Sequence, residues 1–243
     1  MKKRIFAWLL SLTMVLGLLP AGTFAAEELP FRDLEPNAWY TEAVRYAHET
    51  GMMKGTGEGL FSPNATTTRA TVVTLLHRLE KTPEAKAAAF SDVAEGSWYA
   101  KAVAWASANG IVNGMGDGAF HPDDVITREQ FATILYRYAK FKGVDVSKTT
   151  ALTQFTDADK VSPFAKEAMA WAVEVGLISG LGNGLLDPLG GATRAQAAAI
   201  LMRYETKVAP APAPTSPAGD GGAATPAPET PAGSDASGKV MLY

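Results

Sequence analysis

The chain has 243 residues, of which 47% are hydrophobic and 19% are charged, and its formal net charge is −3 at pH 7. This length and composition are sufficient for one or two globular domains with real cores. The chain has no cysteine, which excludes disulfide bonds, thiolate nucleophiles and zinc–thiolate sites, and its three histidines are too scattered for most histidine-based metal sites.

Residues 1–25 have the pattern of a secretory signal peptide. Positions 2–4 are basic, positions 5–19 form an apolar run, and positions 23–25 offer the small residues at which a signal peptidase cuts. The run is shorter than the roughly 20 residues that a membrane-spanning helix needs, so an uncleaved anchor is the less favoured alternative. The signal peptide predicts a secreted chain, and its cleavage leaves a net charge of −6. A mildly acidic secreted chain is expected to bind neither nucleic acid nor a membrane.

A set of short motifs then recurs three times, and it defines predicted repeats at 31–80, 90–140 and 155–207. Each copy opens with Phe-x-Asp and continues with an aromatic residue, a glycine-rich turn that runs to a proline, and Thr-Arg. The aromatic residues are Trp39, Trp98 and, in the third copy, Phe164. A polar stretch at 142–154 predicts a connecting loop before the third copy.

Each copy is predicted to form a helix, a glycine-rich turn and a second helix. Apolar residues at helical spacing mark the first helix, and a glycine stands where its C-terminal cap is expected. The capping glycines are Gly51, Gly110 and Gly176. The second helix follows a threonine cap, and in the second copy Thr127 and Gln130 make a capping box that the third copy repeats.

These elements predict an all-α domain of three tandem helix-turn-helix repeats. A two-helix unit cannot bury both of its faces alone, so the three copies are expected to share one helical core. Residues 208–243 differ abruptly, since this stretch contains 7 of the 15 prolines and is otherwise rich in alanine, glycine, serine and threonine. That composition predicts a disordered or polyproline-like tail.

The ordered motif set, three times over, resembles the S-layer homology family across residues 31 to about 205. The resemblance implies a pseudo-threefold domain at the surface of a bacterium. It further implies non-covalent anchoring to the cell wall, in which grooves between adjacent repeats bind an anionic secondary cell-wall polysaccharide that is often pyruvylated. A cargo or partner protein attached through the tail is expected as well.

Three arginines are the first candidate ligand-binding residues. Arg69, Arg128 and Arg194 each follow a threonine cap, where a cation opposes the helix dipole and loses roughly 0.3–1 kcal/mol. One explanation is an external anion beside the free N–H groups of the helix start, such as a carboxylate held by two parallel hydrogen bonds. The alternative is an internal ion pair with the aspartate of a Phe-x-Asp motif.

The other candidate ligand-binding residues are Trp39, Trp98, Asp33, Asp92 and Asp157. The two tryptophans would offer a flat apolar platform to a sugar ring, although packing is the commoner role of such residues. The three aspartates would contact sugar or cap the turn that follows them. Because the third repeat has phenylalanine in place of tryptophan, the grooves are expected to differ in strength.

No catalytic residue, metal site or cofactor is predicted. The chain shows no recognisable nucleophile motif and no converging pair of carboxylates of the kind that a glycosidase needs. The glycine-rich turns follow a helix and not a strand, so they fail the test for a nucleotide-binding loop. Two alternatives to an anchor remain at this point: a protein–protein scaffold or adaptor at the cell surface, and a secreted hydrolase subunit.

Overall fold

A computed structural model describes residues 29–86 and 90–209. The described residues form six α-helices: α1 (Thr41–Glu49), α2 (Arg69–Leu79), α3 (Ala100–Ala108), α4 (Arg128–Phe141), α5 (Lys166–Glu174) and α6 (Arg194–Arg203). Two 3-10 turns, Ala158–Lys160 and Pro163–Ala165, precede α5, and a π-helical turn, Tyr204–Val208, follows α6. The all-α prediction is confirmed for the described residues, which contain isolated β-bridges and no strand. The predicted signal peptide and residues 210–243 of the predicted tail lie outside them.

The second helix of each repeat begins at its threonine cap, as predicted. The Thr127 hydroxyl accepts a hydrogen bond from the N–H of Gln130 at 3.2 Å, and the Gln130 side chain accepts one from the N–H of Thr127 at 3.2 Å. The start of α6 has the same reciprocal pair. At the start of α2, Thr68 accepts from the N–H of Thr71 at 3.2 Å. Local side-chain chemistry therefore sets where these helices start.

The glycine-rich turn after each first helix approaches another part of its own repeat closely. A Cβ atom at Gly114 would lie 2.8 Å from the carbonyl oxygen of Ala119 and 3.0 Å from the ring of Phe90. Gly55 and Gly180 are equally crowded by the equivalent neighbours. Only glycine fits at these positions, so the turn packs directly on the phenylalanine of the Phe-x-Asp motif.

A closed ring of backbone hydrogen bonds joins the segments that precede the three second helices. The N–H of Thr67 donates to the carbonyl of Ala192, the N–H of Ala192 to the carbonyl of Ile126, and the N–H of Ile126 to the carbonyl of Thr67, each at 2.9 Å. Because every repeat both donates and accepts, the ring requires all three. It fixes the N-terminal ends of α2, α4 and α6 beside one another.

The helices pair mainly between repeats. α1 packs against α6, α2 against α3, and α4 against α5, so each repeat contacts both others in cyclic order. One cluster of buried side chains, which includes Val44, Leu76, Leu135 and Leu201, runs through all three repeats, as expected for a shared core. This cyclic order is compatible with the pseudo-threefold packing that the resemblance implies, which stays a prediction. Within the described ranges, no helix is both long and apolar enough to cross a membrane.

Candidate ligand-binding grooves

The aspartate of each Phe-x-Asp motif binds the backbone of the turn in its own repeat. The Asp33 carboxylate accepts hydrogen bonds from the N–H groups of Phe61 at 2.8 Å and Ser62 at 2.7 Å. Asp92 and Asp157 make the equivalent pairs of bonds. Burial opposes ionisation of Asp33, but these N–H groups outweigh it and lower the pKa of its carboxyl group.

The arginine at the start of each second helix binds the same turn from a different repeat. The Nε of Arg194, in the third repeat, donates to the carbonyl oxygen of Phe61 in the first at 2.8 Å. Arg69 donates in the same way to Phe120 in the second repeat, and Arg128 to Leu186 in the third, each at 2.9 Å. An aspartate and an arginine from two repeats therefore hold opposite sides of one peptide.

The guanidinium groups make further contacts across these junctions. A terminal nitrogen of Arg128 donates to the carbonyl of Ser179, and one of Arg194 to the carbonyl of Lys54, each at 2.9 Å. The guanidinium carbon of Arg69 lies 4.8 Å from the centre of the Phe120 ring, a cation–π contact. Burial lowers the pKa of all three arginines, and nearby aspartates, including those of the Phe-x-Asp motifs, oppose that shift.

The start of α2 has fewer free backbone N–H groups for an external anion than the sequence suggests. The N–H of Arg69 donates to the carbonyl of Asp124 at 3.0 Å, that of Ala70 to Pro122 at 2.9 Å, and that of Thr71 to the Thr68 hydroxyl. The expectation of free N–H groups at this position is therefore wrong, because the neighbouring repeat and the threonine cap occupy them. Nor, among the described residues, does an aspartate of a Phe-x-Asp motif come within 4.0 Å of these arginines as an ion pair.

Three cavities with recurring linings lie where one repeat meets the next, and we name them grooves 1, 2 and 3. Groove 1, of about 210 Å³, is lined by Met53, Lys54, Gly55, Thr71, Thr74, Leu75, Arg78, Trp98 and Arg194. Groove 2, of about 420 Å³, is lined by Arg69, Val112, Asn113, Gly114, Met115, Thr127, Glu129, Gln130, Thr133, Ile134, Arg137, Phe164 and Leu189. Groove 3, of about 320 Å³, is lined by Trp39, Arg128, Leu177, Ile178, Ser179, Gly180, Leu181, Gln196, Ala199, Ile200 and Arg203.

The aromatic residue in each groove comes from the repeat that follows in the cyclic order. Trp98 faces α2 in groove 1, Phe164 faces α4 in groove 2, and Trp39 faces α6 in groove 3. Their exposures are 62%, 59% and 63%, although large aromatic rings are commonly buried. The structure thus brings Trp39 and Trp98 together with Arg128 and Arg194, respectively, but Asp33, Asp92 and Asp157 line none of the three grooves.

Sequence reasoning missed a second arginine in every groove: Arg78, Arg137 and Arg203. The signal was present, because each lies nine residues after the first arginine of its helix. Nine residues turn an α-helix by about 180° beyond two full turns. The two arginines of one helix therefore face different grooves, and each groove receives one arginine from each of two helices.

The described residues contain no group of three or more histidine, cysteine, aspartate or glutamate side chains that could hold a metal ion. Groove 2 has one buried carboxylate of its own, that of Glu129, which accepts hydrogen bonds from the backbone N–H and the hydroxyl of Ser162 at 2.9 and 2.7 Å. Those bonds fix the 3-10 turn that carries Phe164. Each groove thus combines an aromatic ring with two arginines, and groove 2 adds this carboxylate.

Comparison with known families matches the family described as S-layer homology domain to residues 30–73, 89–132 and 154–198, together more than half of the chain. An amylopullulanase of Thermoanaerobacterium thermosulfurigenes is 33% identical over 172 residues, which cover 70% of this chain and 9% of that protein. The S-layer protein sap of Bacillus anthracis is 29% identical over 205 residues, covering 84% and 24%. A cellulosome-anchoring protein of Acetivibrio thermocellus is 29% identical over 156 residues, covering 62% and 34%. The chain thus spans no more than 34% of these relatives.

Proposed function

Since the chain belongs to the S-layer homology domain family, we propose that it anchors itself, or a protein attached to it, by binding an anionic secondary cell-wall polysaccharide in grooves 1, 2 and 3. Its place is the bacterial cell surface, the location of the S-layer and cellulosome-anchoring relatives. The polysaccharide, its pyruvylation and the contact residues are parts of the proposal.

One observation carries this proposal: each groove combines an exposed aromatic ring with two arginines from different helices. In groove 1 these are Trp98, Arg78 and Arg194. A flat ring offers its face to the apolar side of a sugar, and the indole N–H of a tryptophan can reach a hydroxyl group. A guanidinium holds a carboxylate through two parallel hydrogen bonds, which suits the carboxylate of a pyruvyl ketal.

The two arginines of a groove have different roles in the proposed contact. Arg194 is fixed by its bonds to the carbonyl groups of Phe61 and Lys54, so little side-chain entropy is lost when its remaining N–H groups bind an anion. Arg78 is exposed and would bind the ligand from α2. The aspartates of the Phe-x-Asp motifs act through the turn, which they hold in place, and not by direct contact.

Weak grooves suffice for retention when the ligand is a polymer. One hydrogen-bonded charge pair contributes about 1.5–3 kcal/mol. Simultaneous engagement of two or three grooves by one polymer raises the overall affinity by a factor of roughly 10²–10⁴. The ring of backbone bonds keeps the three grooves at fixed separations, which favours such engagement.

We propose no catalytic activity for the repeats. The amylopullulanase relative matches this chain over only 9% of its length, so its activity does not transfer. The tail at 208–243 is proposed as a spacer to a cargo or partner protein, since its composition has almost nothing to bury.

The first test is pelleting of the full-length chain with purified cell-wall sacculi, before and after acid extraction of their secondary polymers. We expect pelleting that extraction abolishes, and that Arg78→Ala and Arg137→Ala each weaken. Arg32→Ala is the matched control, because Arg32 is exposed and lines none of the three grooves. Pelleting that survives extraction would point to a protein or peptidoglycan receptor, and therefore to the scaffold alternative.

A further inference from the structure

The three grooves share an aromatic ring and two arginines, but they differ in charge. Groove 1 is lined by three cationic residues, Lys54, Arg78 and Arg194, and by no acidic one among the described residues. Groove 2 offsets its two arginines with the carboxylate of Glu129. Groove 3 has two arginines, and Ser179 stands at the position that Lys54 occupies in groove 1. Groove 1 is therefore the most positive of the three.

The charges that distinguish groove 1 are not neutralised by the protein. Lys54 and Arg78 are exposed, and within the described part of the chain neither has a carboxylate within 4.0 Å. The carbonyl oxygen of Lys54 accepts a hydrogen bond from a terminal nitrogen of Arg194 at 2.9 Å, so the lysine backbone is fixed beside that guanidinium. Asp33 attracts Arg194, but the equivalent aspartates act on the equivalent arginines in the same way.

We propose that groove 1 selects a mono- or disaccharide segment that carries two negative charges, and that Lys54 is its specificity-determining residue. This inference rests on the proposed function and adds the ligand class of one groove. Two carboxylates on adjacent sugars, or one phosphate monoester, supply such a pair of charges.

Electrostatic repulsion gives the physical reason. Like charges around one cavity repel one another, and a singly charged ligand compensates less of that repulsion than a doubly charged ligand does. Phe164 and Leu189 make the wall of groove 2 more apolar than that of groove 1.

The test compares three probes on the full-length chain at low salt: glucuronic acid with one carboxylate, digalacturonic acid with two, and glucose 6-phosphate. Binding is followed by NMR at the indole N–H of Trp98 for groove 1 and of Trp39 for groove 3. We expect groove 1 to bind at least one doubly charged probe about fivefold more tightly than glucuronic acid, as one further exposed charge contact of about 1 kcal/mol gives. Which doubly charged probe is preferred identifies the source of the charges.

Lys54→Ser is expected to remove the fivefold preference at groove 1, and Ser179→Lys to create one at groove 3. Lys148→Ser is the matched control, because it removes the same charge from an exposed position outside all three grooves. A preference that persists in Lys54→Ser would overturn the inference, while weaker sacculus binding by Arg78→Ala would still support the proposed function. If the unmodified chain bound neither the probes nor purified wall polysaccharide, both proposals would fall.

Discussion

The two ends of α4 carry the same side chain in opposite settings. Arg128, in the first turn, is 3% exposed, and its guanidinium donates to the carbonyl oxygens of Leu186 and Ser179 in the third repeat. Arg137, nine residues later, is half-buried and lines groove 2, and its guanidinium makes no hydrogen bond to the described part of the chain. The first arginine builds the junction between two repeats, and the second faces the space where a ligand would lie.

The comparison shows that recurrence of a charged residue does not by itself identify a ligand contact. Arg128 recurs as Arg69 and Arg194 because each junction needs a donor for the carbonyl of the neighbouring turn. The misfit with the helix dipole is thereby offset within the protein. Both arginine sets line the grooves, so variants must separate a loss of stability from a loss of binding.

The largest expected effect is that of Arg128→Ala on stability. Removing the guanidinium breaks two charge-assisted hydrogen bonds and leaves the carbonyl groups of Leu186 and Ser179 without this donor. We expect the free energy of unfolding to fall by about 3 kcal/mol, measured by urea denaturation of the full-length chain. Arg32→Ala, at an exposed position, should change it by less than about 0.5 kcal/mol. Equal effects of the two variants would refute the structural role of Arg128.

Arg128→Lys sharpens the same comparison by keeping the charge and removing the planar fork. An ammonium group has all of its N–H donors on one nitrogen, so it cannot reproduce the bonds that Nε and a terminal nitrogen of Arg128 make to two separate carbonyl groups. We expect a loss of about 1.5 kcal/mol in the same urea measurement, between the parent and the alanine variant. Stability equal to that of the parent would mean that charge, and not geometry, holds the junction.

The Asp33 side of the junction predicts a dependence on pH. The hydrogen bonds from the N–H groups of Phe61 and Ser62 lower the pKa of the Asp33 carboxyl group in the folded chain. The stability that this carboxylate contributes is therefore present above the unfolded pKa of about 3.9 and is lost as the pH falls through the folded pKa. Asp33→Asn should therefore destabilise the chain at pH 7 and do so less at about pH 3. Urea unfolding at both pH values measures this difference, and a constant difference would contradict the assignment.

Much of the fold was predictable because its signals are local. Glycine caps, threonine caps and helical spacing, such as the Thr127 and Gln130 pair, act within a few residues and predicted where the helices begin and end. Three copies of two half-apolar helices implied one shared core. The described residues bear out both expectations.

The composition of the grooves was not predictable in the same way, because it depends on which repeats meet. The sequence does not say that Trp98 of the second repeat faces α2 of the first, or that Asp124 and Pro122 occupy the N–H groups at the start of α2. These contacts join residues far apart in the chain. The second arginines were detectable from their nine-residue spacing, but only the paired grooves give that spacing a meaning.

The smallest stability effect is expected for Arg137→Ala, the other half of the comparison. The Arg137 guanidinium makes no hydrogen bond to the described residues, so its removal should change the free energy of unfolding by less than about 0.5 kcal/mol. Binding to purified wall polysaccharide should nevertheless weaken, because groove 2 then keeps Arg69 as its one arginine. Urea denaturation and polysaccharide binding measured on the same preparation separate the two effects. Lost stability with unchanged binding would mean that Arg137 serves the fold, and that the division of labour along α4 is wrong.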